Sequence, residues 1–393
     1  MKRWMSFLIL CMIATVFATP SSAAAQSSTA TTTAATTQSD PPVDAALCLP
    51  GVYPVTPADC LAMGPAKTLT DYAKVGLTFP ATPIDMTRTP ADLAVVPYHY
   101  ARVKFMPAPY YDTLPTSKGE TPNGTIDGEL VFISYTDSES TDAGRFYQTA
   151  NGEWVDGGNV ARAVPTDFAG VVLQQTPSVV FGWVLTPTES YIAPSYSAPK
   201  TGKYYQRYDM LQFYGSVTAE GMEWCQIGPS EWIEKRTVAR VIPNTTPPQG
   251  VTGDRWIEIN LYEQTLLVYD KGQLVFATLA STGEAPFYTR PGLFQIYQKK
   301  DKETMTNFAG DPSAYYRLED VPWTMYFDEE RALHGAYWND SFGYPLSHGC
   351  VNLADGDAHW LYEWANVGDW VYVHDPSGNT PTDPKFYTSG SVY

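Results

Sequence analysis

Apolar and polar side chains alternate with a period of two along residues 255–282, RWIEINLYEQTLLVYDKGQLVFATLAST. Ile257 and Ile259 fall on one face of this pattern, with polar residues between them. A period of two predicts β-strands, and the Asp-Lys-Gly turn at 270–272 predicts that two of them form a hairpin. Together with the strand patterns of 292–299 and 369–375, this predicts a mostly β domain in the C-terminal third of the chain.

A helical pattern interrupts these strands in DGDAHWLYEWA, residues 355–365. Leu361 and Trp364 fall on one face of a helix of this length, and Asp355 is of a residue type that caps helix N-termini. We therefore predict one short helix here, with Asp355 as its cap, in a catalytic domain of residues 255–375.

An internal repeat occupies the middle of the chain. GEWVDGGNVARAVP (152–165) matches SEWIEKRTVARVIP (230–243) at a constant offset of 78 residues. Matches at a fixed offset indicate two copies of one unit, so residues 95–165 and 180–243 are predicted to be two small β-barrel-like repeats. They loosely resemble bacterial SH3-like modules; the alternative is two halves of one β domain.

The remaining segments have the composition of targeting or linking sequence. A basic start, an apolar stretch and small residues predict a signal peptide over 1–25, with a permanent N-terminal anchor as the alternative. Residues 26–45 are rich in Ser, Thr and Ala and predict a disordered linker. Residues 46–94 predict a Pro-rich lead-in, and residues 376–393 a flexible tail.

Charge and cysteine content narrow the functional classes. The 393-residue chain carries a net charge of -17, which argues against nucleic acid or anionic lipid as a partner. No stretch after the signal peptide is long enough to span a membrane, so an exported protein is expected. Export permits disulfides, and Cys48 and Cys60 are predicted to form one across a Pro-rich loop. A Cys225–Cys350 bridge stays open as an alternative.

Reactive residues concentrate near the C-terminus. Ser347, His348, Gly349 and Cys350 are consecutive, and His334 lies sixteen residues before Cys350. A thiol is nucleophilic as the thiolate, and a histidine can take its proton and return it to a leaving amine. A glycine before the nucleophile lets the amides of residues 348–350 point at one developing oxyanion. These features indicate acyl transfer through a thioester.

Cys350 could instead be an unreactive core residue or a metal ligand. A buried, unreactive cysteine is common, and a zinc site made of His334, His348 and Cys350 has no fourth ligand at a suitable spacing. No metal and no cofactor is therefore expected.

The ordered residues HG (334–335), SHGC (347–350) and VN (351–352) resemble the signature of the L,D-transpeptidase catalytic domain. The resemblance extends over about residues 255–374, although Arg290 replaces a Thr that is frequent before Pro291. It implies a β-sandwich or barrel with one short helix.

The resemblance also implies a role for each matching residue. Cys350 would be the nucleophile, His334 the general base and acid, and the backbone carbonyl of Gly335 would orient His334. His348 and Gly349 would contribute to the oxyanion pocket, with Ser347 and Asn352 on the substrate side. Three aromatic residues are candidates for the cleft wall, with core packing as an equal alternative: Trp323, Tyr326 and Trp338.

What the resemblance implies for function is a cell-envelope enzyme that acts on peptidoglycan stem peptides. It would release D-Ala and form 3→3 crosslinks, and carbapenem-type β-lactams would acylate it covalently. The alternatives are an L,D-carboxypeptidase or a wall-protein attachment enzyme that uses the same thioester. An alternative of another class is a catalytically idle wall-binding protein.

Overall fold

β-Strands, mostly in antiparallel pairs, are the main secondary structure of the protein, which a computed structural model describes for residues 65–74, 83–306 and 316–387. The described strands form sheets of seven, three, five and eleven strands. This mostly β architecture, with a short helix in the C-terminal third, confirms the predicted fold class.

Seventeen strands precede residue 250 in the described parts of the chain. Those up to residue 165 are β1 (Met86–Arg88), β2 (His99–Val103), β3 (Ala108–Tyr111), β4 (Gly124–Ile126), β5 (Leu130–Thr141), β6 (Gly144–Thr149), β7 (Trp154–Asp156) and β8 (Val160–Arg162). Those after it are β9 (Val171–Leu173), β10 (Val180–Val184), β11 (Thr188–Tyr191), β12 (Lys200–Tyr205), β13 (Met210–Phe213), β14 (Gly215–Ala219), β15 (Met222–Gly228), β16 (Glu231–Glu234) and β17 (Val238–Val241).

The C-terminal part contains a further nine described strands and a helix. The strands are β18 (Trp256–Asn260), β19 (Thr265–Asp270), β20 (Gln273–Leu279), β21 (Gly292–Gln295), β22 (Gln298–Thr306), β23 (Tyr316–Asp328), β24 (Arg331–Gly335), β25 (Val351–Leu353) and β26 (Trp370–His374). The described helices are α1 (Pro65–Lys74) and α2 (Asp355–Trp364).

The predictions for the N-terminus are only partly covered by this description. The signal peptide (1–25), the linker (26–45) and the Cys48–Cys60 bridge lie outside the described residues. Helix α1 was not predicted, because the segment around it reads as Pro-rich. Its proline is the first residue of the helix, a position whose backbone N–H would make no hydrogen bond within the helix, so proline is tolerated there.

The two repeats have corresponding strand pairings, except that two strands, β13 and β14, stand in the second repeat where the single long strand β5 stands in the first. In each, the first strand pairs with the strand in the middle of the repeat and with the last strand, β2 with β5 and β8, β10 with β13 and β17. A 3-10 turn precedes the last strand in both. The repeated sequence thus corresponds to a repeated topology, while the likeness to SH3-like modules stays a prediction.

The first repeat shares a sheet with the C-terminal domain. Strand β5 runs parallel to β23, with Leu130 opposite Tyr316 and Phe132 opposite Leu318. On the other sheet, β9 pairs antiparallel with β20. Hydrogen-bonded ladders therefore cross the boundary that the sequence places between the repeats and the catalytic domain.

The hairpin predicted at 270–272 is confirmed, but its burial differs from the expected alternation. All five residues of β18 are buried, and their side chains divide between two clusters. Trp256 packs with Tyr269 in one cluster, while Ile257 and Ile259 pack with Val268 in the other. A sheet that is covered on both faces buries both sets of alternating residues.

Helix α2 is confirmed, but Asp355 is not its cap. The N-cap is Ala354, and no side chain caps the helix. The Asp355 carboxyl lies buried in the first turn, and neither of its oxygens has a hydrogen-bond partner among the described residues. A helix N-terminus favours a negative charge, but burial outweighs this and, with the nearby Asp357, raises the pKa of Asp355 to about 7.

The predicted flexible tail is ordered in its first part. Asp375 accepts hydrogen bonds from the backbone and side chains of Ser377 and Thr380 at 2.6–2.8 Å. Tyr387 is buried at the end of a 3-10 turn, Pro384–Phe386. The expectation of a loose tail is wrong up to this residue, because a buried aromatic ring fixes a segment whose composition is typical of linkers.

We expect Asp355→Asn to stabilise the protein at alkaline pH and to have little effect at pH 4. The folded-state pKa of about 7 lies above the ordinary value of ~3.9. The Asp355 carboxyl therefore lowers the free energy of unfolding progressively as the pH rises from about 4 to about 7. Removing the charge should raise the free energy of unfolding at pH 8 by about 4 kcal/mol, since each unit of pKa shift corresponds to about 1.4 kcal/mol. Urea unfolding at both pH values measures this. An equal effect at pH 4 and pH 8 would contradict a buried titrating carboxyl.

Candidate active site

Parallel pairing of β24 and β25 brings the histidine and cysteine segments together. His334 lies opposite Asn352, and Leu333 opposite Val351, in this pair. Cys350 directly precedes β25 and follows the turn of Ser347–Gly349. The fifteen residues between His334 and Cys350 include the crossover that parallel strands require.

Most of the sequence-predicted site residues line one small cavity of about 70 Å³. Those that line it are His334, Trp338, Ser347, His348, Cys350 and Asn352. The remaining walls come from Leu130, Met305, Tyr316, Leu318 and Leu346. The Cys350 thiol and the His334 imidazole thus line the same recess.

A hydrogen bond to Gly335 fixes the His334 ring. Nδ1 of His334 lies 2.8 Å from the Gly335 carbonyl oxygen. Because a carbonyl only accepts, Nδ1 carries the proton and Nε2 keeps its lone pair. Burial lowers the pKa of His334 to about 4, an effect that the Gly335 bond opposes. The imidazole is therefore neutral near pH 7 and can accept a proton at Nε2.

The Cys350 thiol is also neutral at this pH. Burial raises its pKa, the Ala332 backbone and the charge of Arg331 oppose this rise, and Glu330 adds to it. Its Sγ lies 3.8 Å from the Glu330 carbonyl oxygen, to which it donates. A neutral thiol beside a neutral imidazole needs the imidazole as a base, because few thiols are ionised spontaneously.

The turn before Cys350 depends on Gly349 and Ser347. Gly349 has a φ of 111°, a conformation that side-chain-bearing residues rarely adopt. Its N–H donates to Ser347 Oγ at 3.1 Å, and Ser347 Oγ–H donates to the Cys350 carbonyl at 2.5 Å. The Gly349 amide, which is expected to serve an oxyanion, is thus directed at Ser347 Oγ in this structure.

The three aromatic candidates for the cleft wall have different environments. Trp338 lines the cavity, with its ring 5.6 Å from the His334 ring. Trp323 instead stacks on His359 of α2 at 3.7 Å, and Tyr326 donates to Glu303 at 3.2 Å. The surroundings of Trp323 favour the core-packing alternative, because its ring stacks on a side chain of the helix.

Several cavity residues were missed from the sequence. Tyr316 lies 5.2 Å from the His348 ring, and Phe287 lies 4.5 Å from it on another segment. Leu130 comes from the first repeat through the β5–β23 pairing. Nothing in its sequence context indicates this role, since it depends on a strand pair separated by nearly two hundred residues.

The alternatives for the cysteines can be compared with their surroundings. Cys225 and Cys350 are both free thiols, so no bridge joins them. Cys225 is buried, and burial raises its pKa to about 11. Among the described residues, no three His, Cys, Asp or Glu side chains cluster so that they could hold a metal ion. None of the described helices is both long and apolar enough to cross a membrane.

Comparison with protein families confirms the resemblance for the C-terminal part. Residues 254–373 match the L,D-transpeptidase catalytic domain. L,D-transpeptidase 1 of Mycobacterium tuberculosis strain H37Rv is 28% identical over 172 residues, which cover 37% of this chain and 66% of the relative. The chain thus spans slightly less than two thirds of that relative.

Solved structures with similar segments are also L,D-transpeptidases. One from Stackebrandtia nassauensis is 29% identical and covers 34% of this chain and 60% of its own, with a TM-score of 0.27. LdtMt1 in complex with imipenem is 18% identical and covers 54% and 92%, with a TM-score of 0.30. One from Mycobacterium smegmatis is 18% identical and covers 54% and 91%, with a TM-score of 0.29.

We expect His334 to stay neutral, with its proton on Nδ1, from pH 8 down to about pH 5. Its buried ring and the Gly335 bond set a pKa of about 4 and this tautomer. NMR of the protein labelled with ¹⁵N-histidine reports both properties, and His334→Gln identifies the resonance. A titration near the ordinary ~6.5, or a proton on Nε2, would contradict this assignment.

Proposed function

We propose that this protein is an exported L,D-transpeptidase that uses Cys350 to form 3→3 crosslinks in peptidoglycan. The observation that carries the proposal is the single cavity lined by Cys350, His334 and His348. The match of residues 254–373 to the L,D-transpeptidase catalytic domain supports the same activity. Export rests on the signal-peptide pattern of residues 1–25, and it places the enzyme at the cell wall.

The first half-reaction acylates the enzyme. Nε2 of His334 takes the thiol proton while Sγ of Cys350 attacks the carbonyl carbon of the diamino acid in a tetrapeptide stem. The tetrahedral intermediate then expels D-Ala, whose amine takes the proton from Nε2. A thioester on Cys350 remains.

The second half-reaction transfers the acyl group. A side-chain amine of a neighbouring stem attacks the thioester, His334 takes its proton, and the Cys350 sulfur leaves and is reprotonated. His334 is thus base and acid in turn, and its Nδ1 bond to Gly335 keeps Nε2 directed to the cavity throughout.

Stabilisation of the oxyanion falls to the backbone around Cys350. Because Ser347 holds the Gly349 N–H, the amides of His348 and Cys350 are the donors that we assign to this task. Ser347 acts by holding the turn, and Asn352 and Trp338 shape the substrate side of the cavity. Removing an oxyanion donor typically costs about 10²–10³-fold in rate.

We expect a carbapenem to add its mass to the peptide that contains Cys350. The strained lactam carbonyl substitutes for the stem carbonyl, so attack gives a stable thioester. Intact-protein and peptide mass spectrometry measure the adduct. Cys350→Ala should lose it, and His334→Ala should form it at least about 10²-fold more slowly, because general-base catalysis contributes about that factor.

Cys225→Ala is the matched control, since Cys225 is a buried thiol outside the cavity. It should retain the full rate. A wild-type protein that gains no mass at Cys350, in a sample shown to be folded, would exclude the enzyme function. It would favour a catalytically idle wall-binding protein, which is the alternative of another class.

The acyl acceptor distinguishes crosslinking from hydrolysis. With a purified tetrapeptide stem, we expect mass spectrometry to show a crosslinked dimer and free D-Ala. The tripeptide acid as the main product would identify an L,D-carboxypeptidase instead. Attachment to an added protein amine, without the dimer, would identify a wall-protein attachment enzyme. Cys350→Ala should form none of these products.

A further inference from the structure

Arg331 lies against the turn that presents Cys350. It is the first residue of β24 and is buried. A Cβ placed on Gly349 would lie 3.2 Å from its Nε, so the guanidinium occupies the space beside this glycine that a side chain would need. Its Nε also donates to the Tyr288 carbonyl at 3.4 Å. A cation thus lies directly beside the residue that precedes the thiol.

Asp328 binds the Arg331 guanidinium. It is buried and accepts a hydrogen bond from Arg331 Nη1 at 3.2 Å. Arg290 binds the same carboxylate through Nε at 3.0 Å and through Nη2. One carboxylate between two guanidiniums leaves the group with a net positive charge, which bidentate arginine geometry holds in a fixed place.

The Tyr288 segment joins the same network to the turn from the other side. Thr289 Oγ1 donates to the Gly349 carbonyl at 2.9 Å and accepts from the Gly283 N–H at 2.9 Å. Arg331 and Thr289 therefore both lie against Gly349, which is itself buried.

The C-terminal strap, residues 381–387, covers Arg331. The buried Tyr387 ring lies 5.4 Å from the Arg331 guanidinium carbon. The Tyr387 hydroxyl donates to the Pro381 carbonyl, which closes the strap on itself. Phe386 contacts the Tyr288 ring edge-on, with the centroids 6.5 Å apart. The strap thus packs the Tyr387 ring against the Arg331 guanidinium.

Several other ionisable groups act on the thiol. The charge of Glu330, on the turn after β23, raises the pKa of Cys350. The Cys350 charge in turn raises the pKa values of three nearby tyrosines: Tyr297, Tyr316 and Tyr326. His334 and His348 line the cavity itself and are neutral near pH 7. Arg331 is the cation that opposes the burial of Cys350.

We propose that Arg331 is a positioning residue for the Cys350 turn, and that the C-terminal strap holds its guanidinium in place through Tyr387. The inference rests on the proposed use of Cys350 as the nucleophile. Arg331 contacts the turn and not the substrate cavity, so it acts on the thiol through Gly349 and through its charge. The tail of the chain is in this way part of the catalytic domain.

The test is the pH dependence of iodoacetamide alkylation at Cys350, followed by mass spectrometry of the peptide that contains it. Arg331→Met should shift the midpoint of this profile upward by about one pH unit, because an opposite charge near a thiol lowers its pKa by about that much or more. Arg331→Lys keeps the charge and should shift it less.

Tyr387→Ala and Tyr387→Phe form the matched pair for the strap. Tyr387→Ala removes the ring from Arg331 and should shift the profile in the same direction as Arg331→Met. Tyr387→Phe keeps the ring, loses the Pro381 bond and should retain the wild-type midpoint. The unfolding temperature of each variant is measured alongside, since a merely structural role would lower it without moving the midpoint.

An unchanged midpoint in folded Arg331→Met or Tyr387→Ala would overturn the proposal, whatever the change in unfolding temperature. If Arg331→Met does not fold, the Tyr387 pair decides the question. Alkylation needs no acyl transfer, so a wild-type protein that fails to bind a carbapenem would refute the proposed function and leave this test intact.

Discussion

The parallel pairing of β24 with β25 is the constraint on which the site depends. It places His334 beside Asn352 and so sets the imidazole next to the turn that carries Cys350. Parallel neighbours need a crossover, and here the crossover supplies Trp338 and Ser347 to the cavity. The strand pair also exposes the Gly335 carbonyl to Nδ1 of the preceding histidine. A backbone acceptor thereby does what a carboxylate does in many catalytic triads.

The cavity is completed by residues from distant parts of the chain. Leu130 reaches it because β5 of the first repeat runs beside β23. The second sheet is extended in the same way by β9, which pairs with β20. Because these ladders are continuous, the first repeat and the C-terminal domain share backbone hydrogen bonds and buried residues. We infer that they unfold together rather than as separate modules.

Sequence reasoning succeeds where the signal is local and fails where it is not. The Asp-Lys-Gly hairpin, helix α2 and the grouping of His334 with Cys350 follow from short-range patterns and from one ordered motif. For Trp323 the sequence leaves cleft wall and core packing equally open, and only its long-range contact with His359 on α2 favours core packing. Asp355 is of a residue type that often caps helices, but here it is buried and does not cap α2. Leu130 and Tyr387 depend on long-range packing, which no local pattern encodes.

The central claim is that the Cys350 sulfur carries the acyl group between donor and acceptor. Rapid mixing with a tetrapeptide stem in the absence of an acceptor amine, followed by acid quenching and peptide mass spectrometry, tests it directly. The account predicts that the peptide containing Cys350 gains the stem minus D-Ala, and that free D-Ala appears in equal amount. Release of D-Ala from a protein whose Cys350 stays unmodified throughout the time course would contradict it.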